Sequence, residues 1–79
     1  MKEGIKVNMI RFNLSYLYRL KKVSDYYMFK IINGVYLLFN KNLEYIGMQT
    51  YYNISNKSYT KLETDALNSL FKMGWINEE

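Results

Sequence analysis

The side chains that could do chemistry in this sequence are lysines, arginines, tyrosines and a few carboxylates. Among the 79 residues, eleven are Lys or Arg and seven are Asp or Glu, with no His and no Cys. The chain therefore lacks the commonest general base, the thiol nucleophile and the usual ligands of transition metals. The four Gly are isolated, so no phosphate-binding Gly-rich loop is present. We expect no catalytic residue, no metal site and no cofactor, and a protein that works by binding.

The cationic side chains are concentrated in the first half of the chain. Residues 1–41 hold eight Lys or Arg against two acids, whereas residues 42–79 hold three against five. This asymmetry favours a polarised surface that attracts an acidic partner or a nucleic acid. The alternative is that a net charge of +4 only keeps the protein soluble. The cationic candidates for partner binding are Arg11, Arg19, Lys21, Lys22, Lys30 and Lys41.

Tyrosine is the most abundant aromatic residue, with nine copies. Protein interfaces favour Tyr, Met, Phe, Trp and Arg at their centres, so a protein-binding module is one interpretation. A sheet that presents both rings and cations can also hold phosphates and stack bases. The alternative is that the rings only cover a small core. The apolar and aromatic candidates for partner binding are Tyr26, Met28, Leu37, Phe39, Tyr51 and Tyr52.

The elements that must position these side chains indicate a single small domain over residues 1–79 of the α+β class. We predict an antiparallel meander of about four strands with one C-terminal helix packed on the sheet. Apolar and polar residues alternate over 10–21, which favours a strand that presents Arg11, Arg19 and Lys21 on one face. A helix over 10–21 is the alternative, but it would leave Phe12 and Tyr16 off its apolar stripe. The other predicted strands span 26–32, 35–39 and 43–48.

Asn33-Gly34 separates two of these strands and is the strongest hairpin signal in the chain. Between apolar runs, Asn-Gly favours a type I′ turn, which sets Ile32 opposite Val35 and Met28 opposite Phe39. That register gives two apolar faces, one with Phe29, Ile31, Tyr36 and Leu38, and one with Met28, Ile32, Val35, Leu37 and Phe39 around Lys30. The helix can cover one face. The other must be covered by the rest of the chain, by a partner or by a second copy of the protein.

The helix is predicted over residues 61–73. Thr60 and Glu63 have the spacing of a capping box, with Thr60 as the N-cap. Gly74 can adopt the left-handed conformation that ends a helix. The apolar stripe that would pack on the sheet comprises Leu62, Ala66, Leu67, Leu70 and Phe71.

Nothing in the sequence predicts membrane insertion or secretion. The first residues are not followed by an apolar secretion segment. The longest apolar run, Val35 to Phe39, is far shorter than the ~20 residues that cross a bilayer. We therefore expect a cytoplasmic protein with no membrane partner.

Short strands around Asn33-Gly34, followed by a last helix ending in Phe71-Lys72-Met73-Gly74-Trp75, resemble small phage or prophage proteins of low-GC bacteria, anti-CRISPR proteins among them. The resemblance implies a non-catalytic inhibitor or modulator of a host protein or nucleoprotein complex, such as a CRISPR–Cas nuclease, in the host cytoplasm. Because the chain is basic, such an inhibitor would occlude a protein surface or contact guide RNA instead of imitating DNA. The alternative function is a small basic nucleic-acid-binding protein with a Lys/Arg and Tyr surface.

Overall fold

The computed structural model describes residues 9–79 and has an α+β fold, as predicted. The elements along the chain are β1 (Ile10–Phe12), a 3-10 helix (Leu14–Arg19), β2 (Lys21–Val23), β3 (Tyr26–Ile32), β4 (Val35–Asn40), β5 (Tyr45–Thr50), α1 (Asn56–Met73) and β6 (Ile76–Glu78). Strands β2, β3, β4 and β5 form an antiparallel sheet in sequence order, and β1 pairs with β6 in a second, two-stranded sheet. Helix α1 packs on one face of the four-stranded sheet.

The continuous strand predicted over 10–21 is wrong, because the chain forms a 3-10 helix between two short strands. Asn13 is the cause. Its side-chain oxygen accepts a hydrogen bond from the Ser15 N–H at 3.0 Å, which starts the turn, and its own N–H donates to the Trp75 carbonyl at 2.8 Å. Such local side-chain bonds compete with strand pairing. Arg11, Arg19 and Lys21 consequently do not share one strand face.

Strands β3 and β4 form the predicted hairpin with a different turn and register. Gly34 has a φ of +84°, but Asn33 does not have the positive φ that a type I′ turn requires. The turn closes with Ile32 opposite Val35, and a bulge between Lys30 and Ile32 then shifts the pairing by one residue. Phe29 therefore lies opposite Leu37 and Met28 opposite Leu38. The predicted register beyond the turn is wrong.

The shifted register decides which side chains lie in the core. Val35, Leu37 and Phe39 are fully buried in the cluster that the helix covers. The residues that alternate with them point to the opposite face of the sheet. We call it the open face, and the strands contribute to it Lys21, Val23, Tyr26, Met28, Lys30, Tyr36 and Leu38. The predicted grouping of Met28 with Leu37 and Phe39 on one face is wrong for this reason.

Helix α1 begins at Asn56, five residues before the predicted start at residue 61. Its N-cap is Ser55, whose hydroxyl accepts a hydrogen bond from the Ser58 N–H at 3.1 Å. The capping box predicted at Thr60 is therefore wrong, because that residue is inside the helix. The predicted end is confirmed: Gly74 has a φ of +77° and its N–H donates to Phe71 at 3.1 Å.

The two-stranded sheet is attached to the core through Phe12. The Phe12 N–H donates to the Leu43 carbonyl at 2.8 Å. Its ring meets Phe39 edge-on, with centroids 5.2 Å apart, and contacts Phe29 at 6.3 Å. Leu43 has a φ of +68° and a buried side chain, so this connection places a bulky residue in the left-handed region. Phe12 thus joins the small sheet to the large one, together with the buried Ile10 and Ile76 and a β-bridge between Arg11 and Glu44.

Glu63 has a different partner from the predicted one. The hydroxyl of Tyr45, a fully buried side chain of β5, donates a hydrogen bond to the Glu63 carboxylate. Burial, and then the hydrogen bond to Glu63, raise the pKa of Tyr45 above the ordinary value of 10. This pair connects the helix to the sheet.

The raised pKa of Tyr45 predicts a loss of stability at alkaline pH. Below pH 10 the hydroxyl is protonated in both the folded and the unfolded chain. Above it the unfolded chain releases a proton that the folded chain retains, so this group lowers the free energy of unfolding by about 1.4 kcal/mol per pH unit. Urea unfolding from pH 7 to 11 should show a shallower alkaline decline in Tyr45→Phe. Tyr18→Phe, at a 72% exposed position, is the control. Parallel curves for the parent and Tyr45→Phe would contradict the prediction.

Candidate functional site

The open face contains a concavity of about 530 Å³. It lies opposite the face on which α1 packs, and it extends from the 3-10 helix across β2, β3 and β4 to the residue after β5. Its lining residues are Arg19, Lys21, Val23, Met28, Lys30, Tyr36 and Tyr51. Three of the seven are cationic, two are tyrosines, and none is acidic.

Strand pairing positions the two lysines of this site. Lys21 lies opposite Met28 on the neighbouring strand, and Lys30 lies opposite Tyr36. Both lysine side chains are exposed, whereas Met28 between them is buried. Residues two apart on one strand share a face, so Met28 and Lys30 point the same way. The site therefore has an apolar floor with a cation on either side.

Arg19, at the end of the 3-10 helix, is held at the edge of the site by aromatic rings. Its guanidinium carbon lies 4.6 Å from the centroid of the Trp75 ring and 5.3 Å from that of Tyr18. Cation–π contacts of this kind restrain an arginine without neutralising its charge. Trp75 is itself fixed, because its backbone N–H donates to the Leu70 carbonyl at 2.9 Å and its ring stacks on Tyr16. The fold-back after α1 thus positions a cation of the site.

Tyr36 and Tyr51 form an aromatic wall. Their ring centroids are 5.6 Å apart and the planes are inclined by 54°. The Tyr51 N–H donates to the Gly34 carbonyl at 2.9 Å, which fixes its backbone against the hairpin turn, while its side chain remains 63% exposed. Because rings at this angle do not cover one another, a face of Tyr51 is left for another planar group.

The site is cationic, and none of the described residues that line it is acidic. Arg19, Lys21 and Lys30 contribute three positive charges, and the lining has no carboxylate. Of the ion pairs within residues 9–79, those of Arg11 join β1 to Glu44 and Glu79, and Lys61 pairs with Asp65 on the helix surface. A positive concavity with aromatic walls can hold a phosphate-bearing ligand that also carries a planar group.

The structure brings together five of the twelve predicted partner-binding residues: Arg19, Lys21, Met28, Lys30 and Tyr51. Tyr26 belongs to the same face but lies toward its other end, opposite Asn40. Tyr36 and Val23 line the concavity and were missed. The predicted register placed Tyr36 and Lys30 on different faces of the hairpin, whereas the observed register pairs the two residues.

The other predicted residues lie elsewhere. Leu37 and Phe39 are fully buried core residues, so predicting them as surface residues is wrong. Arg11 donates to the Asn42 carbonyl at 2.7 Å and pairs with Glu44 at 3.4 Å, which gives it a structural role. Lys22 and Lys41 are exposed outside the concavity, and Tyr52 lies beside Gly34.

Comparison of the chain with protein-family models, with curated proteins and with solved structures found no match. The resemblance to anti-CRISPR proteins therefore stays a prediction. Within residues 9–79, no three acidic side chains come together as a metal site would require. None of the helices in that part of the chain is both long and apolar enough to cross a bilayer.

Proposed function

We propose that this protein is a non-catalytic binding protein whose open face binds the phosphate backbone of a nucleic acid, free or within a nucleoprotein complex, in the host cytoplasm. The observation that supports the proposal is the group of three cations, Arg19, Lys21 and Lys30, around one concavity with no acid in its lining. Phosphate contacts provide most of the affinity of sequence-independent nucleic-acid binding.

The charges of the open face disfavour two other partners that could cover it, a second copy of the protein and an apolar protein surface. In a symmetric dimer through this face, two copies would bring their Lys21 and Lys30 side chains together, and like charges repel strongly at a desolvated interface. An apolar protein partner would remove the same charges from water without pairing them, which is costly. A polyanion supplies the compensating charge.

The number of cations sets the expected dependence on salt. For a single strand, the slope of log K against log salt is about −0.7 for each phosphate neutralised. Three contacts predict a slope of about −2, so affinity should fall roughly twenty-fold between 50 and 200 mM salt. A Tyr-rich protein interface would show a much weaker dependence.

Two double variants with equal net charge test the proposal. Lys21→Gln with Lys30→Gln removes two cations from the concavity, and Lys22→Gln with Lys41→Gln removes two exposed cations outside it. Each double variant lowers the net charge from +4 to +2. We expect the first to weaken binding of a labelled oligonucleotide and reduce the salt slope to about −0.7, and the second to leave the slope near −2.

Fluorescence anisotropy titrations at several salt concentrations measure both quantities. Equal weakening by the two double variants would show that total charge, and not the open face, governs binding. Failure of the parent protein to bind any oligonucleotide at 50 mM salt would also reject the proposal.

A second candidate function is inhibition of a host nucleoprotein complex such as a CRISPR–Cas nuclease. It is supported by the exposed side chains of Ile32 and Tyr52, which lie near the turn of the β3–β4 hairpin and beside the cationic site. Exposed apolar residues next to cations suit a surface made of both protein and RNA. Pull-down from host lysate with and without nuclease distinguishes the candidates: a stoichiometric protein retained after nuclease favours inhibition, and nucleic acid alone favours the first function.

A further inference from the structure

We infer that the open face selects single-stranded over double-stranded nucleic acid, with a base stacked on Tyr51 while Lys21 and Lys30 contact the adjacent phosphates. This inference rests on the proposed function and specifies its ligand. The exposed tyrosine, the size of the concavity and its apolar floor support it.

Tyr51 is largely exposed to solvent. It is 63% exposed although its backbone is fixed by the hydrogen bond to Gly34. The inclination of 54° relative to Tyr36 leaves it unstacked. Base–aromatic stacking needs an accessible ring face on a fixed support beside a cationic groove. A duplex keeps its base faces covered by stacking and cannot use such a ring.

The size and shape of the site agree with an unpaired strand. A concavity of about 530 Å³ lies within the ~300–1,000 Å³ range of small-ligand sites, enough for roughly one to two nucleotides. A duplex would span the rim and contact only the cations. Entry of a base between Tyr36, Tyr51 and the Met28 floor requires a strand whose bases are free to turn outward.

The composition of the lining predicts little sequence preference. None of the lining residues is Asn, Gln, Asp or Glu, the side chains that read adenine and cytosine edges. Arg and Lys can read guanine, but in the proposed complex Arg19, Lys21 and Lys30 contact phosphates. The floor is Met28, whose flexible thioether adapts to different shapes. Stacking itself is tolerant of sequence because every base has a π-face. The expected ligand is therefore a single strand of DNA or RNA of almost any sequence.

The test compares Tyr51→Leu, which removes the ring, with Tyr52→Leu, which removes a neighbouring ring outside the concavity. The probes are a labelled dT oligonucleotide, the same length as a duplex, and a strand whose central nucleotides are abasic. We expect the parent to prefer the single strand to the duplex at least ten-fold. Tyr51→Leu should weaken single-strand binding roughly five- to 150-fold, the effect of losing one stacked base, without changing duplex binding.

The abasic strand removes the bases and retains the phosphates. We expect the parent to bind the abasic strand as weakly as Tyr51→Leu binds the dT strand. Tyr51→Leu should bind the dT and abasic strands with equal affinity. Unchanged binding by Tyr51→Leu, together with equal affinity for dT and abasic strands, overturns the inference. In that event a continued loss on Lys21→Gln with Lys30→Gln would leave the phosphate-binding proposal intact, so failure of the two is distinguishable. Melting curves verify that each variant is folded.

Discussion

Leu37→Glu is expected to prevent folding, whereas Leu38→Glu, one residue further along β4, is expected to yield a folded protein. Leu37 is fully buried opposite Phe29, and Leu38 lies on the open face opposite Met28. Loss of a buried leucine costs about 2–5 kcal/mol, and an unpaired carboxylate in the core adds several more. The sum reaches the ~5 kcal/mol that marks the lower end of natural protein stability. For Leu38→Glu we expect a loss of about 1 kcal/mol.

Circular dichroism and urea unfolding of the two variants measure this difference. The pair also tests the hairpin register, because a type I′ turn with unshifted pairing places Leu38, and not Leu37, on the face with Phe29 and Ile31. A folded Leu37→Glu beside an unfolded Leu38→Glu would establish that pairing and refute the bulge between Lys30 and Ile32.

Phe12→Ala is expected to lower the free energy of unfolding by about 3–5 kcal/mol, the usual cost of removing a buried phenylalanine. The side chain is 1% exposed and contacts the rings of Phe29 and Phe39. Its removal leaves a cavity where the two sheets meet, so β1 and β6 lose part of their attachment to the core.

Urea unfolding, with Leu14→Ala as the control, measures the effect. Leu14 lies two residues away and is 70% exposed, so its truncation should change stability by no more than about 0.5 kcal/mol. Similar values for the two variants would mean that Phe12 does not help to hold the two sheets together. A Phe12→Leu variant should lie between Phe12→Ala and the parent, because it fills part of the cavity.

The parts of the fold that depend on local chemistry could be predicted from the sequence. Asn33-Gly34 indicated the hairpin and Gly74 indicated the helix end, because in both places the backbone needs a residue that tolerates positive φ. The helix start was missed because Asn56, Lys57 and Ser58 extend it with polar residues that carry no apolar periodicity. Local signals thus identify elements better than they identify their boundaries.

The candidate site was only partly predictable, because its composition depends on pairing between distant residues. The cations and Tyr51 were recognised by type. Whether they meet depends on the bulge in β3 and on Asn13, whose contacts with Trp75 and Gly74 end the first strand and redirect Arg19. Arg11 could not be separated from the other cations, because its acidic partners Glu44 and Glu79 are distant in sequence.

The pairing of β1 with β6 has a consequence for how the protein is made. Ile10 and Phe12 pair with Glu78 and Ile76, so the first core residues of the described chain find their partners only among the last. Such a high sequence separation slows folding, because the loop must close before its contacts stabilise it. On the ribosome, the aromatic core cannot be completed, and Phe12 remains exposed, until residue 76 has emerged. The domain is therefore expected to fold as a unit once β6 is available, and not progressively from its first strand.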